Sequence, residues 1–86
     1  DSPPVEVVFE CNPILARYLS SKPLHGSQKI SKAKSSIQVT LNVIIKYELI
    51  QWILGYSSEV KVLAPSILKE KLSESLKKSR ELNGFS

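Results

Sequence analysis

Apolar and polar residues alternate from Val5 to Glu10: Val5, Val7 and Phe9 point one way, and Glu6, Val8 and Glu10 point the other. A two-residue period is the mark of a strand with one buried face. Asn12-Pro13 then predicts a helix start, because Asn can accept from the unpaired N–H groups and Pro suits the first helical position. The helix is expected from Pro13 to about Leu19, with Ile14, Leu15 and Tyr18 as its apolar side. Pro23 and Gly26 break a loop over residues 20–26. A polar strand over Ser27–Lys32 suits a sheet edge, where lysines oppose edge-to-edge pairing. Ala33 to Ser35 is expected to turn the chain into a strand over Ser36–Ile44. There Ile37, Val39, Leu41 and Val43 alternate with Gln38, Thr40 and Asn42.

The period then changes to that of a helix. Leu49, Ile50, Ile53 and Leu54 form a stripe over Lys46–Leu54, with Gly55 as the expected stop and Trp52 off the stripe. Glu59–Leu63 is expected to be a fourth strand. A third helix is expected from Pro65 to about Leu82, with Leu68, Leu72 and Leu76 in line and Asn83-Gly84 ending it. Glu74 with Lys78, and Lys77 with Glu81, are i,i+4 pairs on its exposed side. The order is strand, helix, strand, strand, helix, strand, helix. It predicts an α+β fold: a ferredoxin-like βαββαβ sandwich, sheet order 4-1-3-2, with an additional C-terminal helix. That helix hides its leucines only by packing on the sheet edge, on the other helices or on another chain.

At 86 residues the chain has room for a single domain over 1–86 and one small core. It lacks an initiator Met and is read as an excised fragment. The apolar run Val43-Ile44-Ile45 is far too short to span a bilayer, and the N-terminus has no signal-peptide pattern. With 12 Lys+Arg against 8 Asp+Glu, the net charge of +4 is mildly basic. Cys11 is the single cysteine, which excludes an internal disulfide and a cysteine-based zinc site, and fits a reducing cytoplasm.

Candidate chemistry is sparse. There is one His, one Cys and no Asp after Asp1, too little for a nucleophile set against an oriented base. No ligand spacing for a metal is present, and the glycines at 26, 55 and 84 form no phosphate loop. An enzyme is therefore not expected, nor a cofactor. The outward sheet face carries no aromatic for stacking RNA bases. Lys22, Lys29, Lys32 and Lys34 are the remaining electrostatic feature, either phosphate contacts or a solvated edge.

Several segments together resemble a known family. They are Val7, Phe9 and Pro13; Tyr18-Leu19; Pro23-Leu24-His25-Gly26-Ser27-Gln28; Glu48-Leu49-Ile50; Trp52-Ile53-Leu54-Gly55; and Val60-Lys61-Val62-Leu63-Ala64-Pro65 with Leu68. In this order and spacing the chain resembles the C-terminal extension, or WCX domain, that follows WYL domains in bacterial transcription regulators. The resemblance implies a regulatory module that mediates dimerisation and supports effector sensing by the WYL domain of the same polypeptide. It further implies DNA binding through a helix-turn-helix elsewhere in that polypeptide, and effectors that are nucleic acids or nucleotide-like in some members. His25, Ser27 and Gln28 match the family's polar signature and are candidates for an interaction or effector-facing site, with turn stabilisation as the other role open to them. Trp52 is a candidate interface residue. The alternative function is a small-molecule sensor of the ACT type, which uses the same sandwich.

Overall fold

The computed structural model describes residues 3–82, with side-chain surroundings described through Lys78. The chain forms β1 (Val5–Cys11), α1 (Pro13–Ser21), β2 (Lys29–Lys32), β3 (Ile37–Val43), α2 (Tyr47–Gly55), β4 (Val60–Ala64) and α3 (Ser66–Leu82). The four strands make one antiparallel sheet in the order β2-β3-β1-β4. The expected helix stop at Asn83-Gly84, and the Glu81 partner of Lys77, lie outside the described residues and side chains.

The alternation read in β1 and β3 sets the two faces of the sheet. Val7 pairs with Leu41 and Phe9 with Val39, and all four are buried. Glu6, Val8 and Glu10 lie opposite Asn42, Thr40 and Gln38 on the other, more polar face. Glu10 also faces Lys61 across the β1–β4 pair, a favourable opposite-charge neighbour. The helices cover the apolar face. Leu15, Ala16 and Leu19 of α1, Ile53 of α2 and Leu68 of α3 join the strand residues in one core.

The buried side of α1 differs from the expected one. Leu15, Ala16 and Leu19 are inside, whereas Ile14 is 81% exposed and Tyr18 47%. Asn12 explains the rotation. Its side chain accepts from the Leu15 amide at 2.8 Å, and its side-chain amide is tied to Glu59 at 3.0 Å. The first turn is thereby anchored from both sides before any apolar residue chooses a face.

In α2 the stripe also shifts. Trp52 is not off it: the indole lies 5.9 Å from the Phe9 ring and 4.7 Å from the Tyr56 ring, centroid to centroid. Gly55 is the last helical residue rather than the stop, and the Tyr56 amide closes the turn onto Ile53 and Leu54 carbonyls. Ser66, not Pro65, opens α3, with the Pro65 carbonyl accepting from the Leu68 and Lys69 amides. This helix packs on β4 and α2 through Leu68 and Leu72. Leu76, the next residue in the line, is 50% exposed.

Candidate functional site

The loop between α1 and β2 is held by its own polar residues. Gln28 spans it with both ends of one amide. Its Oε1 accepts from the Leu24 amide at 3.0 Å, and its Nε2 donates to the Leu19 carbonyl at 2.9 Å. The second bond satisfies a carbonyl in the last turn of α1, where the helix supplies no partner. The backbone also turns back, with the Gln28 amide donating to the His25 carbonyl at 3.1 Å.

Ser27 continues the sheet with its side chain. The β2–β3 pairing begins at Lys29 and Thr40, so Ser27 would stand opposite Asn42 if the ladder ran on. Instead the Ser27 hydroxyl accepts from the Asn42 amide at 2.8 Å and lies 3.2 Å from the Asn42 carbonyl. This is why the second strand starts at Lys29 rather than at Ser27. The hydroxyl is also 2.8 Å from His25 Nδ1, which accepts from the Ser27 amide at 3.1 Å.

His25 and Leu24 form one wall of a cavity of about 520 Å³. Leu41 and Val43 of β3 and Leu49 and Trp52 of α2 also line it. Pro4, Asn42, Ile44, Lys46 and Glu48 complete the lining. Lys46 stands at the N-cap of α2, and no side chain caps that helix. An ammonium has no lone pair to offer the first helical amides. Sequence reasoning singled out His25, Ser27, Gln28 and Trp52, and the structure brings His25 and Trp52 to the same cavity while Ser27 and Gln28 brace its wall. Lys46 entered only as the expected start of α2, and Glu48, Leu24 and Leu49 only as parts of the family resemblance or of the apolar stripe, not as site residues.

The four candidate lysines do not form one patch. Lys29 pairs with Thr40 and so belongs to the polar face; Lys32 pairs with Ile37 and belongs to the helix-covered face. Lys34 lies in the turn after β2, and Lys22 follows α1. All four are exposed.

A second, polar depression runs beside β1 and β4 and includes Glu10, Ser36, Glu59 and Cys11. Cys11 is a buried free thiol. Burial pushes its pKa up, and the nearby Glu59 carboxylate adds to the shift. A thiol that keeps its proton is a poor nucleophile. Alkylation by iodoacetamide at mildly alkaline pH is expected to be at least ~10-fold slower in the folded chain than in urea, since exposure of the thiol normally limits the rate. Equal rates would show the thiol to be accessible. The unfolded chain releases this proton at lower pH than the folded one. Stability therefore falls as pH rises above the ordinary thiol range of about 8.5.

Among the described residues no cluster of three or more metal-ligating side chains occurs. No helix among them is long and apolar enough to cross a membrane. A family described as the WCX domain matches residues 3–79. The chain belongs to the WCX domain family. No curated protein matches it. The described residues of this WCX domain form a small α+β unit with a four-stranded antiparallel sheet and three helices, and its family links it to WYL-type regulators.

Proposed function

We propose that this WCX domain is a non-catalytic regulation and assembly module of a bacterial WYL-type transcription regulator. In this reading it docks beside the WYL domain of the same polypeptide, pairs two regulator chains into a homodimer and supports effector sensing by the WYL domain. DNA is contacted by the regulator's helix-turn-helix domain, and the whole works in the cytoplasm. The strand order, with β1 between β3 and β4, is read as a ferredoxin-like sandwich extended by α3.

The observation that carries the assembly role is the leucine line of α3. Leu68 is fully buried and Leu72 is packed against the core, but Leu76, one turn beyond Leu72, is half exposed. An apolar line that continues past its own core fits a surface made to be covered. A twofold contact between two such helices would bury it on both chains at once.

Light scattering across a range of protein concentrations tests this. The 86-residue chain is expected to move from monomer to dimer mass as concentration rises, and Leu76→Glu is expected to weaken the dimer ~10-fold or more. Because Leu76 is exposed, the substitution should leave folding within about 0.5 kcal/mol of the parent. A monomer at every concentration, together with no binding to a WYL domain, would sink the proposal.

A further inference from the structure

We propose that the cavity between the Leu24–His25 loop and α2 is a binding site for an apolar α-amino acid, a zwitterion with a side chain of the phenylalanine or leucine type. This goes beyond the assembly role and does not depend on it, because the cavity lies within one chain.

The size fits a small molecule. About 520 Å³ is within the usual range of ligand pockets, roughly 300–1,000 Å³. Most of the lining is apolar, including Leu24, Leu41, Val43, Leu49 and Trp52. Charge is confined to the first turn of α2, where Lys46 and Glu48 line the cavity and are both exposed. A ligand carrying only an anion would meet Glu48 unfavourably. One carrying only a cation would meet Lys46 in the same way. A zwitterion offers each of them a partner. The walls are set in advance: Ser27 and Gln28 fix the loop by bonds to Asn42, Leu24 and Leu19, which lowers the ordering cost of binding.

Trp52 is the only tryptophan in the chain and lines the cavity, so its emission responds to a change there. Titration of the chain with L-phenylalanine, and separately with L-leucine, should give a saturable change in that emission. Phenethylamine lacks the carboxylate and 3-phenylpropanoate lacks the ammonium, and each should bind about 10-fold more weakly than phenylalanine. Two exposed substitutions assign the charges, with circular dichroism confirming that each variant is folded. Lys46→Ala should weaken phenylalanine about fivefold and leave phenethylamine no weaker, or tighten it; Glu48→Gln should weaken phenylalanine about fivefold and leave 3-phenylpropanoate no weaker, or tighten it. Absence of a saturable change with either amino acid overturns the proposal. So does equal binding of all three phenyl compounds, which would mean an apolar cavity without head-group selection. The dimer mass is measured separately, so the failure of one reading leaves the other standing.

Discussion

Phe9→Ala is expected to remove about 3–5 kcal/mol of stability, the usual cost of deleting a fully buried aromatic ring. Phe9 is 0% exposed and sits in β1, an inner strand of the sheet, between Val39 of β3 and Val62 of β4. Its ring also holds Trp52, at 5.9 Å and a 48° tilt, an arrangement worth about 0.5–1.5 kcal/mol beyond burial. A chain of 86 residues has only roughly 4–13 kcal/mol in total at the usual value per residue. The substitution should therefore remove a large share of the total stability, and at the lower end of that range it would leave the chain partly unfolded at 25 °C. Urea unfolding followed by far-ultraviolet circular dichroism measures this without relying on the Trp52 environment that the substitution itself alters. Phe9→Leu, which keeps most of the apolar volume, should lose much less. A loss below about 1 kcal/mol for Phe9→Ala would contradict the central position of the ring.

The prominence of Phe9 in the core is legible in the sequence, because strict alternation leaves Val7 and Phe9 one buried face and Glu6 and Glu10 the other. The same holds for Val39 and Leu41. Helix faces are harder to read. In α1 the nine residues make only two and a half turns, and Ile14, Leu15 and Tyr18 mark one apolar side while Leu15, Ala16 and Leu19 mark another. Apolar character cannot separate them. The bond from Asn12 to Glu59 spans 47 residues and helps to fix the rotation. Trp52 raises a similar problem. Its neighbour Ile53 fits the aliphatic stripe, but the contact that draws the indole inward is to Phe9 on a different element.

The candidate site was legible by residue type and not by partner. Ser and Gln beside a Gly-containing loop indicate backbone-holding side chains, and Ser27 and Gln28 do hold backbone. That Ser27 takes over the ladder at Asn42, 15 residues away, follows only once the β2–β3 register is known. The cavity was hidden for a related reason. It is lined by a loop before β2, the end of β3 and the start of α2, segments that no local pattern brings together.

Gln28→Ala should cost about 2–3 kcal/mol, because it leaves two partly buried backbone groups, the Leu24 amide and the Leu19 carbonyl, without their partners. The loop wall should loosen with it, so exchange of the Leu24 amide with solvent should accelerate well before global unfolding. Gln28→Glu separates the two bonds. A carboxylate can still accept from the Leu24 amide, but it sets an anion against the Leu19 carbonyl in place of a donor. At neutral pH this variant should be at least as destabilised as Gln28→Ala. Because the fold disfavours the anion there, the group takes up its proton over a range that begins above the ordinary carboxyl value of about 4.3, and it regains a hydrogen to donate. Measured against the parent at each pH, the deficit of Gln28→Glu should therefore shrink as pH falls through that range, while that of Gln28→Ala stays constant. A deficit for Gln28→Glu that does not change with pH would mean that the Leu19 bond contributes little, and that Gln28 holds the loop through Leu24 alone.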